Sequence, residues 1–271
     1  MWKDNKFQIS VVVPCFNKVD YVEQALSSIL EQENVKAELI LVDGGSTDGS
    51  FARAENVLAG ELAEKRNREG WRIVLIHESD KGQSHAINKG LLESSGEIVC
   101  WLNADDFYYP GALERVVQEF GRRPEFGMLY GALDFVAADG KVIKGRPSRA
   151  WNREQLLDSY CYIPQPSTFW RRALIANAGL IDTSLHLAMD YDYWLRLSKH
   201  TQVCSIPDRL AGIRIMEGTK TGMTPLNAMP EALMVGRRHG ARYFSKFRAA
   251  YWLWAIGAEN VVRYVARKIQ W

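Results

Sequence analysis

Apolar and polar positions alternate along the first hundred residues in a repeating scheme. Residues 7 to 17, FQISVVVPCFN, are dense in β-branched side chains and predict a buried strand. The stretch that follows, DYVEQALSSILEQ, sets Val22, Ala25, Leu26, Ile29 and Leu30 at helical spacing, with Asp20 in the N-cap position. AELILVDGGSTDGS repeats the scheme: a strand over 38 to 42, a turn rich in glycine, and Ser46 or Asp48 opening a helix. RIVLIH (72 to 77) is the third strand, leading through ESDKGQ to the helix SHAINKGLLESS, and EIVCWL (97 to 102) is the fourth. Strands alternating with helices predict right-handed crossovers and a mostly parallel sheet. In open sheets of this kind ligands sit beyond the carboxyl ends of the strands. Asn17, Asp43 to Asp48, Asp80 to His85 and Asn103 to Asp106 all fall at such ends, so one cleft is expected to collect them.

Beyond residue 125 the alternation loosens. MLYGALDFVAADGKVIKG reads as a hairpin turning at Asp139-Gly140, PQPSTFWRRALIANAG as a short strand running into a helix, and AMDYDYWLRLSKH as a helix with Met189, Tyr193, Trp194 and Leu197 facing the core. From about residue 226 the chain reads as helical, basic and aromatic.

Composition adds limits. A chain of 271 residues accommodates one large α/β domain with an appendage. No apolar run reaches the ~18 residues of a membrane span, and the opening MWKDNKFQIS carries no signal-peptide pattern, so a cytoplasmic protein is expected. Cys15, Cys100, Cys161 and Cys204 form no CxxC pair, which argues against a zinc site and a disulfide framework and for small buried hydrophobes. Residues 237 to 271 hold eight Lys or Arg against Glu259 alone, a charge of +7 within a total of +2.

The stretch VCWLNADDFYYP ends a buried strand with two adjacent carboxylates, Asp105 and Asp106. Two such anions repel each other unless water or a cation intervenes. A solvated turn is one reading. A hard divalent cation, Mn²⁺ or Mg²⁺, bridging to phosphate oxygens is the other, and it would supply positive charge where a departing diphosphate needs it.

Taken together, VVVPCFNK, ELILVDGGSTDGS, DKGQSHAINKG, WLNADD, QPSTFWRR and MDYDYWLRL resemble, in order and rough spacing, the motifs of the family 2 glycosyltransferases, inverting GT-A enzymes with nucleotide-sugar donors. The similarity spans about residues 7 to 220. It implies an α/β fold of GT-A (Rossmann-like) type, a mostly parallel central sheet flanked by helices, with a catalytic domain over 1–222 and a basic, aromatic helical extension over 223–271. By resemblance, Pro14, Phe16 and Asn17 line the nucleobase and ribose pocket, Asp43 takes a hydrogen bond from the base, Asn88 and Asn103 join the nucleotide site, and Asp105 joins it by contacting the ribose or the cation. Uridine is the expected base, because an acceptor-only carboxylate suits a pyrimidine N–H; for Asp43 an Asp-Gly turn or helix cap is the competing reading. Asp106 matches the principal metal ligand and Asp190 the base that deprotonates the acceptor hydroxyl, against a plain helix-start carboxylate favoured by the macrodipole. Gln165, Ser167, Thr168 and Asp192 are candidate contacts to donor or acceptor sugar, whereas Trp170 reads as core.

Two departures stand out. His85 replaces a carboxylate that many relatives place near the donor, and is either a contact to donor hydroxyls or phosphate or a tolerated surface change. Met216 replaces a His that helps hold the cation, and a thioether is a poor ligand for it. Arg214, Lys220 and Thr221 are then left to neutralise the diphosphate, with His186 either a substitute ligand or, as a lone His usually is, structural.

The expected partners are a nucleotide-sugar donor and a glycan or polyprenyl-linked acceptor used in bacterial surface polysaccharide or glycan assembly. The tail at 237–271 suits an anionic membrane surface, which would place the protein at the inner face of the cytoplasmic membrane, or a helix packed on the domain. No nucleic-acid module surrounds the patch. The rival functions are a catalytically silent nucleotide-sugar binder and a sugar-phosphate nucleotidyltransferase, although PCFNKVD lacks the latter's Gly-rich triphosphate loop.

Overall fold

The structure is a computed structural model and describes residues 7–158, 161–216 and 225–241. Its chain order is β1 (Ile9–Cys15), α1 (Val22–Leu30), β2 (Ala37–Asp43), α2 (Ser50–Leu58), α3 (Glu61–Arg68), β3 (Arg72–His77), α4 (Gln83–Glu93), β4 (Ile98–Trp101), β5 (Phe107–Tyr108) and α5 (Ala112–Arg122). It continues through β6 (Phe126–Val136), β7 (Val142–Arg146), α6 (Arg153–Asp158), β8 (Thr168–Arg171), α7 (Ile175–Ala178), α8 (Met189–Leu197), β9 (Gln202–Arg214) and α9 (Pro225–Arg238).

The described residues build one sheet in the order β3-β2-β1-β4-β8-β6-β9-β5, with β7 paired to β6. Its first half is parallel, with β1 between β2 and β4 and β3 beyond β2. Every residue of β1 and β2 is buried, as apolar strands covered on both faces must be. Helix α4 lies so close to β1 that a Cβ on Gly90 would stand 2.3 Å from Val12 Cγ1. The second half is mixed: β8 runs antiparallel to both β4 and β6, whereas β9 runs parallel to β6 and antiparallel to β5.

Strands β5 and β9 are absent from the sequence-based expectation. In β9 the polar step Pro207-Asp208-Arg209 interrupts the alternation, and the pairing with β6 shifts register there, from Tyr130 opposite Ser205 to Ala132 opposite Arg209. Such an irregularity accommodates the proline and hides the strand's period. Two helix starts also differ. Asp20 does not cap α1, whose first turn is closed by the Tyr21 and Val22 N–H groups donating to Lys18 O at 3.0 and 2.9 Å. Helix α2 opens at Ser50 behind the left-handed Gly49, with Asp48 Oδ1 accepting from the Ser50 N–H at 2.9 Å.

The hairpin of β6 and β7 turns at Gly140, whose φ is +84°. Met189, Tyr193, Trp194 and Leu197 of α8 are buried as expected, and so is Trp170. Trp101, Trp170, Tyr193 and Trp194 pack as one aromatic cluster, the Trp101 and Trp194 rings stacked at 5.2 Å and Trp170 edge-on to both. Cys15, Cys100 and Cys204 are buried free thiols and Cys161 is half-buried. Helix α9 carries Val235 into the main core, so the helix is part of the domain's packing. The expected basic tail lies outside the described residues beyond 241. No helix among the described residues is long and apolar enough to cross a membrane.

Candidate active site at the carboxyl edge of the sheet

The ends of β1, β2, β3 and β4 converge on a cavity of about 620 Å³, the convergence expected from the strand-end clusters. That volume lies within the range of small-molecule sites. Pro14 and Phe16 form one wall, Gly44 and Gly45 another; Asp80 and Gln83 follow β3, and Asn103, Asp105 and Asp106 follow β4. His186 and Arg214 enter from distant parts of the chain. Phe16 is 57% exposed, leaving its ring face open to a ligand.

The loops hold each other in place. Asn17, with φ of +51°, accepts the Thr47 N–H on Oδ1 at 3.0 Å, while its own N–H donates to Ser46 Oγ at 2.9 Å. Its side chain therefore splices the loops after β1 and β2. Asp43 is fully buried. Its carboxylate accepts from the Gly45 and Ser46 N–H groups (3.0 and 2.9 Å), from Ser46 Oγ (2.6 Å) and from His77 Nδ1 (2.9 Å). Burial pushes this carboxyl upward, but hydrogen bonds from Ser46, His77 and Gly45 outweigh it and hold Asp43 below the usual range. The turn-forming contacts of Asp43 are thus present, and among the described residues its Oδ2 accepts only from Ser46 Oγ. Asp80 is half-buried and lines the cavity: its Oδ1 accepts the Gly82 N–H at 2.7 Å, and a Cβ on Gly44 would fall 2.5 Å from its Oδ2. A larger residue at 44 would displace that carboxylate from this position.

The acidic pair is asymmetric. Asp106 is 2% exposed; its Oδ1 accepts the Arg214 N–H at 3.1 Å and its Oδ2 the Asn103 Nδ2 at 3.1 Å. Burial first, and the Asp105 charge second, push its carboxyl up to about 8. Asp105 pairs with Lys18 Nζ at 2.7 Å. Asn103 is the hub, donating from Nδ2 to Gln165 Oε1 at 3.1 Å as well and accepting from Gln83 Nε2 at 2.6 Å. Gln165 in turn donates to Trp101 O at 2.7 Å.

Several expected contacts are committed elsewhere. Arg214 lines the cavity, but its guanidinium binds Asp105 O, Ala138 O and Gln24 Oε1 and lies over the Tyr21 and Phe107 rings, so it braces the Asp loop and does not offer itself to phosphate. Asn88 uses both amide atoms on Ile181, donating to its O at 2.8 Å and accepting its N–H at 2.9 Å. Ser167 donates to Ala132 O and Thr168 to Pro164 O, both side chains fully buried. Asp192, 1% exposed, faces Arg196 at 2.8 Å and His239 at 2.9 Å, a buried structural pairing in place of a sugar contact. His85 is half-buried outside the cavity wall, and its Nδ1 is buried with no hydrogen-bond partner among the described residues. Asp190 is half-buried in the first turn of α8, and Ser84 Oγ ties α4 to that turn through Met189 Sδ at 2.7 Å. Lys220 and Thr221 lie outside the described residues. Asp80 and Gln83 belong to the strand-end cluster expected at the cleft, although neither carries a role of its own in the sequence-derived site; Lys18 has neither place nor role there, and its position in the loop after β1 is the signal that could have found it.

Among the described residues no three His, Cys, Asp or Glu side chains cluster to hold a metal ion. Asp106 still suits a hard cation, since each of its oxygens accepts a single hydrogen bond and keeps a lone pair. Magnesium-type ions are commonly held by one or two carboxylates together with phosphate and water.

The description "Glycosyl transferase family 2" belongs to the family model that matches residues 10–171. An uncharacterized protein of Mycobacterium tuberculosis (strain CDC 1551 / Oshkosh) is 30% identical over 79% of this chain and 69% of its own length. An uncharacterized glycosyltransferase of Nostoc sp. is 27% identical over 65% of this chain and 54% of its own length, so the chain spans about half of that relative. A PGL/p-HBAD biosynthesis glycosyltransferase of Mycobacterium bovis is 28% identical over 69% of this chain and 68% of its own. Among solved structures, Staphylococcus aureus TarS 1–349 in complex with UDP-GlcNAc superposes with a TM-score of 0.65 at 17% identity, covering 88% of this chain and 68% of that one. The mannosyltransferase PcManGT of Pyrobaculum calidifontis, in complex with GDP-Man and Mn²⁺, gives 0.65 at 18% identity over 99% and 79%. These likenesses establish a shared GT-A fold, and the match over more than half its length shows that the chain belongs to glycosyl transferase family 2.

Proposed function

We propose that the protein transfers a sugar, with inversion, from a nucleoside-diphosphate donor to a hydroxyl of a glycan or lipid-linked acceptor in bacterial surface polysaccharide or glycan assembly. The observation that carries this reading is the meeting of the four strand-end loops, with Asp105 and Asp106, around one cavity of nucleotide size. A UDP-sugar is the preferred donor. Pro14 and Phe16 pack against the base, the Asp80 carboxylate accepts from its N–H, and Asp105 receives the ribose. Lys18, already paired to Asp105, supplies positive charge beside the diphosphate. A divalent cation held by Asp106 would neutralise charge on the leaving diphosphate. Asp190 takes the proton from the acceptor hydroxyl, opposite the leaving group, as one positioned carboxylate can. A lipid-linked acceptor would bring the protein to the inner membrane face.

Calorimetry with a panel of UDP- and GDP-sugars, with and without Mn²⁺, tests the reading in wild type and Asp106→Ala. One donor is expected to bind tightly only with Mn²⁺, and the variant to lose that dependence. Donor binding indifferent to both metal and substitution would remove Asp106 as the cation's ligand, and binding without any turnover would favour a silent binder.

A further inference from the structure

We propose that Glu231 of α9 is a positioning residue for catalysis, fixing the start of the helix that bears Asp190; this rests on reading Asp190 as the acceptor base. Helix α8 has no cap of its own, since the residue at its N-cap is Ala188. The Glu231 carboxylate, more than forty residues further along the chain, fills that role from outside. It accepts the His186 N–H at 3.0 Å on each oxygen, the Leu187 N–H at 2.7 Å and the Ala188 N–H at 2.9 Å.

Three consecutive N–H groups bound to one carboxylate define the path of the backbone. That path ends two residues before Asp190 and contains His186, which lines the donor cavity. A negative charge at this end of the helix is also favoured by the macrodipole. The second tether comes from the last turn of α9 and the residue after it. Arg238 reaches Asp182 at 2.7 Å and Asp192 at 3.6 Å, and His239 reaches Asp192 at 2.9 Å. Met229, ahead of Glu231, and Val235, between the two tethers, are buried and seat α9 on the domain. Helix α9 thus grips both sides of Asp190, on the segment ahead of α8 and on Asp192 two residues past the base. Small displacements of a reacting group reduce rates strongly, about 10²-fold for 1 Å, so loss of this grip should appear in turnover.

The test uses the full chain and measures nucleoside-diphosphate release from a panel of UDP- and GDP-sugars, UDP and GDP binding, and amide hydrogen exchange. In Glu231→Ala, kcat should fall at least tenfold with donor KM and UDP or GDP affinity within twofold. Exchange should accelerate at residues 186–192 but not in β1 or β2. Glu231→Gln, which keeps an acceptor oxygen at the same place, should recover most of kcat. The proposal is overturned if kcat in Glu231→Ala matches wild type, if affinity falls in proportion to rate and Gln restores nothing, or if exchange at 186–192 is unchanged. Wild type inactive on every donor would instead overturn the transferase reading, whereas active wild type with an unmoved Glu231→Ala kcat overturns this proposal alone.

Discussion

Asp190 and Asp192 stand two residues apart on one helix, yet their surroundings separate their roles. Asp192 is enclosed by Arg196 and His239, whose hydrogen bonds outweigh the upward push of burial and hold its carboxyl below the usual range. Asp190 is half-buried, and its Oδ1 accepts the Tyr191 N–H at 2.7 Å. Asp190→Asn should therefore lower kcat by about 10²- to 10⁴-fold, the contribution typical of a general base, while nucleotide affinity by calorimetry stays at the wild-type value. An equal loss of affinity and rate would move Asp190 from chemistry to donor binding. At this scale the sequence is a good guide to residues that follow strands directly: Pro14, Phe16, Asn103, Asp105 and Asp106 meet at the cavity because the parallel sheet brings its strand ends together. It is a poor guide to Asn88 and Asp192. Asn88 finds its partner 93 positions away and Asp192, besides Arg196 one helical turn on, finds His239 at 47, and no local motif encodes these distant pairings.

Among the elements, the contact of α4 with β1 is the most constrained. Gly90 is a poor helix former, and alanine in its place would gain about 1 kcal/mol in helix propensity. The added Cβ would stand 2.3 Å from Val12 Cγ1 and 3.1 Å from Val12 Cβ, in a strand buried on both faces. Overpacking of this kind costs about 1 to 3 kcal/mol, so the clash wins. Gly90→Ala is expected to be destabilised by up to about 2 kcal/mol, read as a lower urea midpoint with unchanged slope; a variant more stable than wild type would mean that α4 can lift from the sheet. The four parallel strands were legible because their apolar runs are continuous and bounded by Gly and Asp. Strand β9 was not, because Pro207, Asp208 and Arg209 sit in the middle of it, and its pairing with β6 depends on a register shift that only the partner strand specifies.

For the whole molecule, the buried carboxylates set the acid limit. Hydrogen bonds hold Glu38, Asp43, Asp192 and Glu231 below their ordinary values despite burial, and Ser184 and Arg238 lower Asp182 to about 2. A carboxyl whose folded value is depressed contributes stability that is complete above its unfolded value, about 4, and is lost as pH falls through the folded one. The melting temperature should accordingly be level with respect to these groups above about pH 5 and fall steadily toward pH 2. A melting temperature unchanged between pH 5 and pH 3 would show that these pairings do not survive in solution.

The aromatic cluster has an optical consequence. Trp101 belongs to β4, Trp170 to β8 and Trp194 to the helix that carries Asp190, and their rings lie 5.2 to 5.6 Å apart. Indoles this close share their electronic excitation, so their ultraviolet circular dichroism depends on mutual distance and angle. Displacement of α8 relative to the sheet would change that signal in the unlabelled protein, giving a direct optical record of the helix's seating during ligand titration or after substitution at Glu231.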